Sequence, residues 1–153
     1  MKKIILAIFL ILGAVSFAAP KYVDIAKLQK NSYQIIQDEE SAFLFGKSTE
    51  DVGLTVALFE VSENKDVAKK MSEEVKTTAP ADQKYISSRE NKRAYILKFK
   101  AKDGSYTYSF VGKKPKVKNC YISTLYITNK DFKDNELDKI ADQTLNEIES
   151  YLK

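Results

Sequence analysis

The stretch Tyr95-Ile96-Leu97-Lys98-Phe99-Lys100-Ala101-Lys102-Asp103-Gly104-Ser105-Tyr106-Thr107-Tyr108-Ser109-Phe110 decides the fold. Asp103-Gly104 is a hairpin turn signal, and apolar and polar residues alternate on both sides of it. A loop holding only those two residues sets Leu97 opposite Phe110, Phe99 opposite Tyr108 and Ala101 opposite Tyr106. The same register sets Lys98 opposite Ser109, Lys100 opposite Thr107 and Lys102 opposite Ser105. One face, which includes Tyr95, is then core, and the other is polar and basic.

Further strands read outward from this hairpin. Ala42 to Lys47 and Gly53 to Val61 are rich in Phe, Leu and Val, and the polar stretch Ser48-Thr49-Glu50-Asp51 joins them as a second hairpin. Tyr33 to Gln37 and Lys84 to Arg89 read as short strands. Residues 119 to 128 carry Ile122 and Tyr126 on one face and Tyr121, Leu125 and Ile127 on the other, as an interior strand covered on both sides would. A helix is expected from about Asn64 to Lys76, capped by Asn64 or Ser62, with Val67, Ala68, Met71 and Val75 as its apolar stripe. A second is expected from about Asn135 to Leu152, with Leu137, Ile140, Ala141, Thr144, Leu145, Ile148, Tyr151 and Leu152 at helical spacing and an acidic polar side. Lys21 to Lys30 reads as a short helix.

The expected fold is therefore α+β: an antiparallel sheet of six to seven strands with two main helices packed against it, in the order β-β-α-β-β-β-β-α. This order is similar to that of PsbP-like domains at the level of architecture, without a shared sequence motif.

The chain opens with Met1-Lys2-Lys3, an apolar run from Ile4 to Val15, and Ser16-Phe17-Ala18-Ala19-Pro20. A basic start, an apolar centre and a small-x-small site read as a secretory signal peptide cut after Ala18. The apolar run is shorter than the roughly 18 to 20 residues that span a bilayer. The expectation is a cleaved signal at residues 1–18, one α+β domain at residues 19–153, no transmembrane segment after cleavage, and an exported product, periplasmic or secreted. Cys120 is the single cysteine, so it cannot pair within its own chain. It reads as a small buried hydrophobe or, alternatively, as a reactive thiol beside Lys116 and Lys118.

Composition limits the chemistry. The 153 residues contain no histidine, which removes Ser-His-Asp and Cys-His nucleophile systems and HExxH zinc sites. The few glycines build no GxGxxG or phosphate-cradling loop. Ser62-Glu63-Asn64-Lys65 has Ser-x-x-Lys spacing but no companion Lys-Thr-Gly, and Ser62 reads better as a cap. Asp131-Phe132-Lys133-Asp134-Asn135-Glu136 fails as a calcium loop, because Lys133 and Glu136 stand where a ligand and a glycine are needed. Those acids read as caps for the last helix. No cofactor and no metal site are expected, and no catalytic residue is assigned.

Charge is the informative pattern. The chain as a whole is +4, yet eleven basic and two acidic residues lie between Lys84 and Lys118, and the rest of the chain beyond the signal has 12 basic and 19 acidic residues. Lys98, Lys100 and Lys102, extended by Lys113, Lys114, Lys116 and Lys118, form a candidate anion-binding face. The other reading is a solvated face whose lysines discourage edge-to-edge pairing. The partner expected of the first is an anionic envelope component or an acidic protein. Nucleic acid is not expected, since Tyr95, Tyr106 and Tyr108 are assigned to the core face rather than to base stacking. The functional expectation is a small exported non-enzymatic binding module of the cell envelope. The alternatives are a small extracytoplasmic hydrolase using paired carboxylates and a self-associating assembly factor.

Overall fold

The computed structural model describes residues 20–38, 42–62 and 66–153. The expected signal at residues 1–18 and the candidate cap Asn64 lie outside them. The elements, in chain order, are α1 (Ile25–Lys30), β1 (Gln34–Asp38), β2 (Ala42–Ser48), β3 (Val52–Glu60), α2 (Val67–Thr77), β4 (Gln83–Glu90), β5 (Ala94–Ala101), β6 (Tyr106–Gly112), β7 (Cys120–Thr128) and α3 (Asp134–Glu149). The strands form one antiparallel sheet in the order β1-β2-β3-β7-β6-β5-β4. Two meanders build it. β1 to β3 make one, α2 carries the chain to the far edge, and β4 to β7 return until β7 closes against β3. The α+β class is as the sequence indicates.

Helices cover both faces. On the α3 face, Phe43, Phe45, Val56, Leu58, Ile96, Tyr108, Phe110 and Ile122 meet Leu137, Ala141, Leu145 and Ile148 of α3 and Leu28 of α1 in the main core. The α3 stripe read from the sequence is this buried stripe. α1 is held beside it by a bridge between Val23 and Leu152 and by the Asp24 N–H donating to the Tyr151 carbonyl at 2.8 Å. On the α2 face, Val67 and Ala68 pack on Val111 and Tyr121, with Met71 and Tyr95 at the margin. β7 has Ile122 in the first core and Tyr121 in the second, as expected of an interior strand.

The hairpin differs from its expected register. Ile96 stands opposite Phe110, Leu97 opposite Ser109, Lys98 opposite Tyr108, Phe99 opposite Thr107 and Lys100 opposite Tyr106. The loop holds three residues, Lys102-Asp103-Gly104, closed by the Ala101 N–H donating to the Ser105 carbonyl at 2.9 Å. Gly104 has φ +90°, the left-handed position that ends a three-residue hairpin loop. The Asp103 carboxylate fixes it by accepting from the Ser105 hydroxyl at 2.6 Å and the Ser105 N–H at 2.9 Å. Those bonds hold its carboxyl below the usual range.

One added loop residue moves every pair to a new partner. Tyr106, Tyr108 and Phe110 lie on the α3 face, whereas Tyr95, Leu97, Phe99 and Ala101 lie on the α2 face with Ser105, Thr107 and Ser109. Neither face is the polar one, because α2 and α3 each need an apolar surface beneath them. α2 also begins later than expected. Its N-cap is Asp66, in a left-handed conformation at φ 72° with no side-chain cap bond, so Ser62 does not cap it.

Both outer strands carry a bulge, between Ile35 and Gln37 in β1 and between Tyr85 and Ser87 in β4. The bulged Ile36 and Ile86 are 42% and 44% exposed. Such irregularities interrupt the ladder that another strand would need for edge pairing.

Candidate functional site

The seven candidate lysines do not form one surface. Lys98 and Lys100 sit near the turn end of β5 on the α3 face, and Lys102 sits in the turn. Lys113, Lys114, Lys116 and Lys118 follow β6 at the opposite end of the hairpin. An eight-residue strand separates the two groups by roughly 20 Å at ~3.3 Å per residue.

Several of these cations are engaged internally. The Lys98 ammonium donates to Asp131, which raises the ammonium's pKa and lowers that of the carboxyl. Lys113 donates to Glu90 and to the Asn91 carbonyl, and Lys116 donates to the Glu149 carbonyl at the C-terminal end of α3 at 2.8 Å. Lys100, Lys102, Lys114 and Lys118 are exposed and, among the described residues, make no ion pair.

The segment's two arginines explain much of the charge asymmetry. Arg89 at the end of β4 grips both Asp138 oxygens and donates to the Asp134 carbonyl at 3.0 Å. Arg93 donates to Glu149 at 3.0 Å, to the Asp142 carbonyl at 3.3 Å and to Asn146. The basic edge of the sheet and the acidic side of α3 are therefore complementary halves of one contact. The bidentate Arg89–Asp138 pair suits it because the guanidinium fork matches a carboxylate.

A cluster that sequence reading missed centres on Glu147. Its Oε1 accepts from the Tyr33 hydroxyl at 2.8 Å, from the Lys47 ammonium and from the Tyr151 hydroxyl at 3.3 Å. Burial pushes this carboxyl up, but the bonds from Lys47 and Tyr33 outweigh it and hold it below the usual range. Burial first, and the Glu147 charge second, raise Tyr151 to about 12. The group ties the α1–β1 connection, β2 and α3 together. Only the period of α3 hinted at it, since Glu147 lies one residue before Ile148 at the margin of the stripe.

Cys120 is fully buried in the main core, and burial pushes its thiol up. This matches the buried-hydrophobe reading. Asp131 does not cap α3. The Glu136 side chain does so by accepting from the Lys133 N–H at 2.7 Å, with Asp134 also in the first turn.

Of the candidate cations without an ion pair, Lys114 and Lys118 lie at one end of the hairpin and Lys100 and Lys102 at the other, where Lys84 joins them. Lys84 of β4 stands directly opposite Lys100 of β5, and Lys100 stands opposite Tyr106 of β6. Lys98 and Lys100 lie over the Tyr106 ring at 5.1 and 5.3 Å. The row Lys84–Lys100–Tyr106 thus lines the margin of the α3 face, with Lys98 and its partner Asp131 behind it. Lys84 lay at the edge of the charged segment, and only the strand pairing brings it here.

Among the described residues, no helix is long and apolar enough to cross a membrane, and no three His, Cys, Asp or Glu side chains are grouped as metal ligands. Comparison with protein-family models, with curated proteins and with solved structures found no match to this chain.

Proposed function

We propose that this chain is a small exported, non-enzymatic binding module that takes an anionic component of the cell envelope at the Lys84–Lys100 corner, with Lys102 beside it. The observation that carries this reading is the direct cross-strand opposition of two exposed lysines. Like charges placed opposite each other destabilise a strand pair, and among the described residues neither makes an ion pair, although the Asp131 carboxylate that Lys98 binds is within electrostatic reach of Lys100. A bound anion would relieve that repulsion by bridging the two ammonium groups. Tyr106 helps to position the Lys100 ammonium, which lies 5.3 Å from its ring centroid. The α3 acids Asp138, Glu147 and Glu149 each hold a cation, which favours binding over paired-carboxylate hydrolysis.

The test is co-sedimentation with vesicles containing about a third phosphatidylglycerol in phosphatidylcholine, using wild type and Lys84→Glu/Lys100→Glu. Wild type is expected to bind in low salt and release as salt rises, and the variant to bind at least tenfold less with an unchanged circular dichroism spectrum. Equal retention of the two proteins would refute the assignment. Lys98 is not the residue to reverse, because a glutamate there would face Asp131.

A further inference from the structure

The α2 face of the sheet carries more apolar surface than α2 covers. Leu44, Ala57, Ser123 and Val111 are successive cross-strand partners across β2, β3, β7 and β6, so they share that face. α2 packs on β5 and β6, with Val67 and Ala68 against Val111 and Tyr121. At ~4.8 Å per strand, β2 lies roughly 14 Å beyond β6, whereas a helix with its side chains is about 10–12 Å across. Yet Ala42, Leu44 and Ala57 are 2%, 1% and 0% exposed. They form a cluster of their own, and among the described residues Phe59 is the one partly buried apolar side chain packed against it. On the α3 face, by contrast, the same two strands give Phe43, Phe45, Val56 and Leu58 to the core shared with α1 and α3.

Three stretches lie outside the described residues, and one has the reach to cover this cluster. Residues 39–41 and 63–65 are tied at both ends and span at most about 10 Å each. Residues 1–19 are tied at one end only, and that end is well placed. Tyr22 lies beside Cys120 and Glu60, which are paired at one end of β7 and β3. Ala42 and Phe59 pair one row along at the same end. Residues 16–19, extended, span about 13 Å, enough to round the end of the sheet. The apolar run Ile4–Val15 spans about 18 Å as a helix, and the seven residues of β2 span roughly 20 Å. Charge matches at the far end. The run is preceded by Lys2-Lys3, and the β2–β3 hairpin carries Glu50 and Asp51, both exposed and, among the described residues, in no ion pair.

We propose that, while residues 1–18 remain attached, the apolar run Ile4–Val15 docks along β2 and β3 on the α2 face, over Leu44 and Ala57, with Lys2 and Lys3 against Glu50 and Asp51. Burial of apolar surface on both sides drives the docking, and the opposite charges fix its direction. A cut after Ala18 removes the cover and bares this face, so the chain before the cut and the chain after it differ in the apolar surface they present. The site is on the other face of the sheet from the lysine corner and does not depend on it.

The test uses the full chain, isotope-labelled, with a nitroxide on Ser48→Cys beside the hairpin tip; Cys120 is fully buried and takes no label in the folded chain. Amide broadening is expected at Ile4, Ile5 and Leu6, and at least threefold weaker at Ala14 and Val15, which lie towards the other end. Glu50→Lys/Asp51→Lys is expected to weaken the broadening at Ile4 to Leu6 at least threefold, and Ile8→Glu/Leu12→Glu to abolish it. The second variant leaves residues 20–153 untouched, so unchanged α3 amides alongside shifted Leu44 and Ala57 amides are expected and keep loss of docking apart from loss of fold. The proposal is overturned by sharp amides at Ile4 to Leu6, by broadening as strong at Val15 as at Ile4, or by broadening that survives Ile8→Glu/Leu12→Glu. It is equally overturned by broadening passed from a nitroxide-bearing chain to the isotope-labelled chain in a mixture, which would put a second copy on the face.

Discussion

Replacing Glu147 with alanine tests how the α1–β1 connection, β2 and α3 are joined. The substitution strands the Tyr33 hydroxyl, whose residue is 3% exposed, and such a buried donor left alone costs about 1–3 kcal/mol. The Lys47 side chain is 29% exposed and the Glu147 side chain 37%, so Lys47 regains water and its loss is limited to about 1 kcal/mol. The Tyr151 contact, at 3.3 Å, adds little. The sum is about 1–4 kcal/mol, read as a lowered urea midpoint at pH 7 with an unchanged slope. The pH profile gives a second readout. The Glu147 carboxyl titrates lower in the folded chain than in the unfolded one, so its contribution is fully present above the unfolded value of ~4.3 and disappears as pH falls through the folded value. Glu147→Gln is expected to flatten the acid limb of the stability profile by this share, leaving the shares of Asp103 and Asp131 in place. A loss below about 0.5 kcal/mol for Glu147→Ala, or acid limbs that coincide for wild type and Glu147→Gln, would refute the reasoning.

Gly104→Ala is expected to lose about 1 kcal/mol by equilibrium unfolding, from its positive φ alone, since no atom lies within 4 Å of the added carbon. Gly46→Ala should lose more than Gly112→Ala in the same assay, because a Cβ at position 46 would lie 2.7 Å from the Leu54 carbonyl oxygen, whereas at 112 the nearest atoms are at 3.7 Å. Leu145→Ala, at the centre of the α3 stripe and 1% exposed, should lose about 2–5 kcal/mol. The Cys120 thiol should react with a thiol reagent only as fast as the chain unfolds, given its burial and raised pKa.

What the sequence showed and what it concealed have physical reasons. The α3 stripe was legible because a helix packed on one side needs one periodic face, and Leu137, Ala141, Leu145 and Ile148 meet that need. The hairpin was legible as a hairpin but not in its register. Asp103-Gly104 suits both a two-residue and a three-residue loop, and strands covered on both sides carry apolar residues at both parities, as Ile96 beside Leu97 and Phe110 beside Val111 do. The charged segment was legible as a composition. Its division into cations held by Asp131, Asp138 and Glu149 and cations without an ion pair was not, because those partners lie 33 to 56 residues away.

The most direct test of the binding account is a charge-matched comparison at the two ends of the hairpin. Lys84→Glu/Lys100→Glu and Lys114→Glu/Lys118→Glu change the net charge equally, and all four residues are exposed. The salt dependence of binding to phosphatidylglycerol vesicles separates them. The account predicts that the first variant loses binding and most of the salt slope, while the second stays within about twofold of wild type. Equal losses in the two variants would contradict it, by showing that overall charge rather than the Lys84–Lys100 corner does the binding.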